Sequence, residues 1–292
     1  MMASRRRIGC LQFCAVVGLA AATAAAAADA SRTLDRIRAD GAIHLGYRAG
    51  AAPFSFRERD GRIRGYSAEL CNRIATAIQK QLGLPALKIE WTPLAAADRL
   101  DAVAKGRVDI ECGTTTATLS RYEQVDFSLP IFVDGGSILA RSDAKLARLA
   151  DFAGKRIAVI PKTTTESALK RELSVVDTKA ELVPVADVPA GLALLTEGKV
   201  DGYAGDRIVL VSARAGSADP ARLSLLDADF SFEPYALVVR RDDPDFRLAV
   251  NRALVEIYRS GDIDDIYFRW LGAMGRAGPL LHSMFYLNTL PE

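Results

Sequence analysis

The sequence predicts an α/β protein built as two similar lobes, and three observations carry that expectation. From about residue 31 onward, short β-like apolar runs alternate with helix-like amphipathic stretches, the pattern of an α/β fold. A lead-in recurs: residues 103–109 read VAKGRVD and residues 195–201 read LTEGKVD, each closing a helix at a glycine and turning directly into a strand. No Pro-, Gly- or Ser-rich linker divides the halves. The simplest architecture therefore has the chain crossing between the lobes more than once, with a cleft between them. The repeat alone is a weak signal, because helix–Gly–strand units occur in any α/β protein.

Residues 33–40 read as a short helix stopped at Gly41, and residues 42–47 as the first strand. Residues 53–57 and 62–65 flank Asp60-Gly61, a β-turn dipeptide. Ser67 is expected to cap a helix whose apolar face is Leu70, Ile74, Ala77, Ile78 and Leu82, ended by Gly83. Residues 87–91 alternate as a strand, residues 98–105 form a helix and residues 108–112 the next strand. After a run at 137–140 the order restarts. Strands are expected at 155–160, 181–185, 200–204 and 223–226. Helices are expected from Thr163 to about Leu173, after Asp187 with Pro189 near its start, and over 206–215. A strand at 235–240 and helices at 246–260 and 263–271 close the chain.

The first thirty of the 292 residues stand apart. Arg5, Arg6 and Arg7 form a basic segment, an apolar run extends from Ile8 to about Ala26, and Ala28-Asp29-Ala30 supplies a small-x-small site. This is a signal-peptide pattern, residues 1–30, with cleavage after Ala28 or Ala30. The competing reading is an uncleaved anchor, since the run approaches spanning length, but its Ala-rich second half is weakly hydrophobic. Without residues 1–30 the formal charge falls from +2 to zero. A neutral chain with no basic tract argues against a nucleic-acid partner. Export also changes the meaning of the cysteines, because only Cys71 and Cys112 remain, in a compartment where disulfides persist. We expect them to bridge within the first lobe; the alternative is two buried thiols.

Residues 109–121, DIECGTTTATLSR, are the most informative segment. A strand-like run breaks at Gly113, three threonines follow, and Arg121 lies just beyond. Backbone N–H groups after a Gly turn, hydroxyls and a guanidinium together make an anion trap. Taken alone, the segment reads more readily as a polar Thr-rich loop with a surface arginine. Five positions past Asp109 comes Thr114, and five past Asp201 comes Asp206. In an open α/β sheet ligands sit at the carboxyl ends of strands, so one unit offers anion-binding groups and the other a carboxylate. A ligand bearing both a carboxylate and an ammonium satisfies the pair.

At this point the residues resemble a known family. GYRAGAAPFSF at 46–56, GYSAELC at 65–71, ECGTTT at 111–116, KTTTESAL at 162–169, the Asp206 loop and RRDDPDF at 240–246 occur in order across nearly the whole chain. They are similar to the periplasmic solute-binding proteins of polar amino-acid ABC transporters, most of all to the glutamate/aspartate-binding branch. The resemblance implies a type II-like, two-lobe periplasmic-binding-protein fold with two hinge strands and a ligand cleft. Lobe 1 would comprise residues 31–135 and 231–292, and lobe 2 residues 136–230. It further implies a periplasmic monomer that needs no cofactor or metal, binds an amino acid and delivers it to a membrane permease. Arg121 resembles the arginine that clamps the α-carboxylate, supported by Thr116 and by the backbone around Thr163, Thr164 and Thr165 at a helix start. Asp206 resembles the carboxylate that receives the α-ammonium. Arg48 and Arg99 match the arginines directed at a side-chain carboxylate, and Thr114 stands where a hydroxyl is common. Without the resemblance, Arg48 reads as a strand-end charge and Arg99 as a helix-surface charge.

The chain also departs from that pattern. Ala96 replaces a serine three residues before the helix arginine, Val188 replaces a histidine near the second-lobe helix start, and Arg207 stands where a second acidic residue is common. The rival reading is an exported, dehydratase-like enzyme acting on a carboxylated small molecule. Catalysis needs a positioned acid or base. His44 lies inside a predicted strand, His282 lies near the tail, and there is no Gly-x-Ser-x-Gly elbow, phosphate loop or metal-spaced cluster. Glu111 and Glu166 lie near the trap and are expected to be surface or capping residues. The sequence therefore favours a binding protein over an enzyme.

Overall fold

A computed structural model of the chain describes residues 32–291; the expected signal peptide, residues 1–30, lies outside them. The chain opens with α1 (Arg32–Asp40), β1 (Ala42–Tyr47), the small strands β2 (Gly50–Ala51), β3 (Ser55–Arg57) and β4 (Ile63–Arg64), and α2 (Tyr66–Gln81). It continues through β5 (Lys88–Pro93), α3 (Arg99–Ala104), β6 (Ile110–Glu111), α4 (Leu119–Tyr122) and β7 (Asp126–Asp134). Then come β8 (Gly136–Arg141), β9 (Arg156–Val159), α5 (Thr164–Val175), β10 (Glu181–Pro184), α6 (Val188–Thr196), β11 (Gly202–Asp206), α7 (Arg207–Ala215) and β12 (Leu223–Leu225). The last elements are β13 (Glu233–Val239), α8 (Pro244–Ser260), α9 (Asp262–Leu271) and α10 (Pro279–Leu287).

Two five-stranded sheets organise these elements, in the orders β5-β1-β6-β13-β7 and β10-β9-β11-β8-β12. In the first, β1 runs parallel to β5 and β6, while β13 runs antiparallel to β6 and β7. In the second, β9, β10 and β11 are parallel and β8 is antiparallel to β11 and β12. The consequence for function is positional. The carboxyl ends of β1, β5 and β6 lie along one edge, where parallel strands present their loops. Because β13 runs the other way, its beginning lies at that same edge, where Thr116 bridges to Tyr235. The carboxyl ends of β9, β10 and β11 do the same for the second sheet.

The chain passes from the first sheet to the second between β7 and β8 and returns between β12 and β13. The two passages lie side by side: the Gly136 N–H donates to Ser231 Oγ at 2.9 Å, and the Phe230 N–H donates to the Gly136 carbonyl at 2.8 Å. A side chain at either glycine would force its neighbours to move. A Cβ on Gly135 would stand 2.6 Å from the Asp229 carboxylate, and one on Gly136 would stand 2.6 Å from Ser231 Oγ. Arg207 turns away from the sheet edge to pair with Asp229 and to donate to the Leu226 carbonyl at 2.8 Å. It fastens α7 to the return passage.

Helix α2 buries Leu70, Cys71, Ile74, Ala75 and Ile78 on one face, as its 3.6-residue apolar spacing requires. Its expected cap is different in kind. Gly65 occupies the N-cap with φ 122°, and Ser67 instead donates to the Gly113 carbonyl at 2.8 Å, which anchors the loop that follows β6. Helix α8 has Pro at its first position and Asp243 accepting from the Phe246 N–H, and it stops at Gly261 with φ 82°. Four elements lie outside the sequence expectation: β2, α4, β7 and α10. The nine-residue β7 contains Pro130, and α10 (PLLHSMFYL) is mostly apolar, burying Leu281, Met284 and Phe285 while Asn288 Nδ2 donates to the Pro130 carbonyl at 2.8 Å. No described helix is long and apolar enough to cross a membrane.

Cys71 on α2 and Cys112 beyond β6 form a disulfide, closing a sequence separation of 41 residues. A loop of that size removes about 4 kcal/mol of chain entropy from the unfolded state. Replacing both cysteines by serine should therefore cost roughly 2–4 kcal/mol, measured by urea titration. Mass spectrometry of the exported protein, alkylated without reductant, should show no modified thiol; two alkylated cysteines would contradict the bridge.

Asp134, at the end of β7, gives a second expectation. Its carboxylate accepts from the Gly135 N–H at 2.9 Å and the Ile208 N–H at 3.2 Å, and lies 3.2 Å from the Tyr235 hydroxyl, whose proton goes to Asp206 at 2.6 Å. Burial and the neighbouring Asp206 charge nevertheless push its pKa up to about 8 from 3.8. Below pH 4 both folded and unfolded states are protonated at this position. Between about pH 4 and pH 8 the unfolded chain gives up the proton and the folded one keeps it, so this residue's stabilising contribution declines as pH rises. Denaturant titrations of wild type and Asp134→Asn should diverge across that range, with wild type losing stability relative to the variant. Parallel pH profiles would show that Asp134 ionises normally.

Candidate functional site

The loop after β6 separates its three threonines into three tasks. Thr114 faces a cavity between the sheets. Thr115 is fully buried, accepts from Arg99 Nε at 2.7 Å and donates to Glu111 Oε2 at 2.8 Å. Thr116 donates to the Glu233 carboxylate. Glu111, expected at the surface, is fully buried beneath Gly113, where a Cβ would stand 2.2 Å from Glu111 Oε1. The strand before it is covered on both faces, so a carboxylate at that position turns inward toward the arginines rather than out to water. Glu166 does behave as a capping group: its carboxylate accepts from the Lys162 N–H at 2.7 Å, and its N–H donates to Thr163 Oγ1 at 3.1 Å.

Three arginines converge here. Arg99 begins α3 and is 3% exposed; besides Thr115 it donates to the Ala96 carbonyl. Arg121 on α4 donates from Nη1 to the Thr116 carbonyl at 2.7 Å. Arg48 follows β1, and its guanidinium lines the cavity with no hydrogen bond or ion pair among the described residues. Burial, then the Arg48 and Arg121 charges, bring the Arg99 pKa down to about 9. Burial also depresses that of Arg121, against which Glu233, Glu111 and Asp206 act. Such a cluster of cations favours any anion that enters.

The second sheet faces them with the start of α5 and the end of β11. Thr163 caps α5, whose first N–H groups have no acceptor within the helix and carry its positive dipole end. Asp206 accepts from Thr165 Oγ1 at 2.8 Å and from the Tyr235 hydroxyl at 2.6 Å. Burial and the charge of Glu233 raise its pKa. The cavity enclosed between the sheets measures about 40 Å³ and is lined by Arg48, Arg99 and Thr114 from one side and by Thr163, Thr164, Thr165, Val188, Tyr203 and Asp206 from the other. Thr116 and Arg121 do not line it but stand directly behind its wall, through Thr116 Oγ1 at 3.2 Å from Thr164 Oγ1.

Sequence reasoning missed two residues at this place. Glu233, 1% exposed, gathers hydroxyls from Thr116, Thr164 and Ser231, and Tyr235 links Asp206 to the first sheet. The available signal was an acidic residue opening a run that is otherwise apolar, EPYALVV. A wider depression, lined by Trp91, Trp270 and Arg64, lies elsewhere; there Arg64 is already paired with Glu58 and Glu69 with Arg269. No group of His, Cys, Asp and Glu able to hold a metal ion occurs among the described residues.

Comparison with known proteins identifies the family and the fold. The model of the bacterial extracellular solute-binding proteins, family 3, matches residues 43–273. The L-glutamate/L-aspartate-binding protein of Pseudomonas aeruginosa is 32% identical over 239 residues, 82% of this chain and 79% of that protein. The glutamate/aspartate import solute-binding protein of Escherichia coli K12 is 29% identical over 87% of this chain and 83% of its own length. Among solved structures, an ancestral arginine-binding protein bound to arginine superposes with a TM-score of 0.72 at 27% identity, covering 80% of this chain and 99% of that one. An ancestral amino acid-binding protein described as a precursor of cyclohexadienyl dehydratase gives 0.71 at 28% identity, covering 82% and 99%. With its two-sheet architecture and a family match over most of its length, the chain belongs to the bacterial extracellular solute-binding proteins of family 3.

Proposed function

We propose that this protein is the substrate-binding component of an amino-acid ABC importer, capturing an acidic amino acid, glutamate or aspartate, in the periplasm and passing it to the membrane permease. One observation carries the reading: opposed sheets place guanidinium groups and a carboxylate around one small cavity, and the Arg48 guanidinium there makes no hydrogen bond or ion pair among the described residues. In this assignment Arg121, Thr116 and the start of α5 (Thr163, Thr164, Thr165) take the α-carboxylate, and Asp206 takes the α-ammonium. Arg48, Arg99 and Thr114 face the side chain. The two lobes, 31–135 with 231–292 and 136–230, turn about the paired passages at Gly135 and Ser231. Closure of this kind commits the ligand.

The charge argument for an acidic ligand rests on Arg48. Arg99 already has Thr115, the Ala96 carbonyl and the nearby Glu111, so its needs are largely met inside the protein. Arg48 is partly exposed, so the roughly 3–5 kcal/mol cost of a fully buried unpaired charge is an upper bound that closure of the cleft approaches, whereas the donors absent at Ala96 and Val188 would each add on the order of 1 kcal/mol. The cation therefore outweighs the missing donors. As a carrier rather than an enzyme, the protein needs no acid–base pair. His44 pairs with Glu90 near the other end of β1, and His282 packs on Phe285 in α10.

Calorimetry with glutamate, aspartate, glutamine, asparagine, arginine and leucine tests the proposal. The acidic pair should bind most tightly, with the amides weaker but detectable. Arg121→Ala should abolish measurable binding of all of them. Arg48→Ala should weaken glutamate by up to about a hundredfold while tightening glutamine, whose complex no longer leaves a guanidinium unpaired. Tighter binding of leucine or arginine than of both acidic ligands would refute the acidic assignment, and unchanged affinity in a folded Arg121→Ala protein would refute the amino-acid clamp. Release of a converted product from a carboxylated substrate would favour the dehydratase-like alternative.

A further inference from the structure

We propose that Glu233 is a clasp between the lobes, a positioning residue that sets how firmly the cleft closes and how long a ligand stays inside. Glu233 opens β13 and is 1% exposed. One of its oxygens, Oε2, accepts from Thr116 Oγ1 in the first-sheet loop and from Thr164 Oγ1 at the start of α5, the latter at 2.7 Å. The other, Oε1, accepts from Ser231 Oγ at 2.6 Å on the return passage. Each threonine hydroxyl has a single proton to give, and the carboxylate takes one from each side. The two hydroxyl oxygens stand only 3.2 Å apart. A carboxylate oxygen between them is the group that lets them approach as neighbours.

This arrangement cannot survive opening. Thr116 is tied to the first sheet through its bridge to Tyr235, and Thr164 belongs to the second-sheet helix that moves with β9. Separating the lobes takes Thr164 away from Glu233 and leaves a carboxylate in a pocket that holds its other two donors. Hydrogen bonds to a charged acceptor contribute more than neutral ones, so the closed form is favoured whether or not a ligand is present. Glu233 is also the strongest of the negative charges that keep Arg121 ionised. The clasp and the proposed carboxylate clamp therefore share one corner of the cleft. Apparent affinity scales with the population competent to hold the ligand, so removing the clasp weakens binding mainly through faster release.

The test reads lobe separation directly. Spin labels on Lys80→Cys in α2 and Arg171→Cys in α5, both exposed, report interlobe distance by pulsed electron resonance, with and without excess glutamate. Glu233→Gln and Thr164→Val should each lower the ligand-free closed-to-open ratio about tenfold and speed glutamate dissociation by a similar factor. Association should stay within about twofold, and the double variant should open no further than either single one. Saturating glutamate should restore the closed distance. Unchanged distances and release in folded Glu233→Gln would overturn the proposal, as would additive opening in the double variant. Should Glu233→Gln fail to fold, Thr164→Val decides by the same distances, since it leaves the carboxylate its other donors. The second readout rests on the amino-acid reading above. A wild type that binds no amino acid would sink that reading, while the ligand-free distances would still decide the clasp.

Discussion

Three guanidinium groups gathered at one edge of a sheet and enclosed between two lobes are the constraint that the rest of the region answers. The charges of Arg48 and Arg121 make Arg99 harder to keep charged, and that of Arg48 acts likewise on Arg121. Burial removes the water that would otherwise screen them. The protein supplies Glu111 from below, Asp206 from the opposite sheet and Glu233 from the passage between them. It uses threonines as spacers that carry hydrogen bonds from one charge to the next, as in the Arg99–Thr115–Glu111 chain. Two of those countercharges are spent within the protein. Among the described residues the Arg48 guanidinium has no hydrogen bond or ion pair, and on the reading proposed above an anionic ligand answers it.

The same edge is where mobility must enter. Parallel strands in both sheets deliver their loops to a common cleft, and only the two passages at Gly135–Gly136 and around Ser231 hold the lobes as one chain. Their approach is close enough that a side chain on either glycine would force its neighbours to move. Arg207 stiffens the return passage from the second lobe. The bonds that cross the cleft, Tyr235 to Asp206 and Thr164 to Glu233, therefore sit close to the axis about which the lobes would turn. Bonds near an axis change length little for a small rotation. Their loss comes only with substantial opening, a geometry that gives two distinguishable states rather than a continuum.

Much of this was legible in the sequence because it is local. Helix starts at Thr163 and Asp187, stops at Gly83 and Gly261, and the strand-to-loop break at Gly113 are each written within a few residues. The repeated helix–Gly–strand lead-in placed Thr114 and Asp206 at corresponding strand ends. What was not legible depends on distant partners. Ser67 has the chemistry of a cap, but Gly113, 46 residues away, receives its hydroxyl. Glu233 looks like a surface acid until Thr116, 117 residues away, and Thr164, 69 residues away, are brought to it. Strand β7 was hidden by Pro130, tolerated because it lies on an edge strand. Helix α10 was hidden because exposed Leu280, Tyr286 and Leu287 blur the face formed by buried Leu281, Met284 and Phe285.

The two departures at Ala96 and Val188 take on a definite meaning once the cleft is assembled. Ala96 keeps its part in the site through its backbone, since its carbonyl receives Arg99. A hydroxyl there would offer a further donor without being needed to hold the arginine. Val188 lines the cavity and presents an apolar wall where a polar ring would offer directional contact. A ligand side chain in this cleft would thus meet charge from Arg48 and shape from Val188 and Ala51, with few fixed donors to dictate its length. Coulombic attraction falls off gradually with distance, whereas a hydrogen bond is lost within a few tenths of an ångström. A cleft that relies on the first and lacks the second distinguishes acidic from neutral side chains better than it distinguishes one acidic chain length from the next.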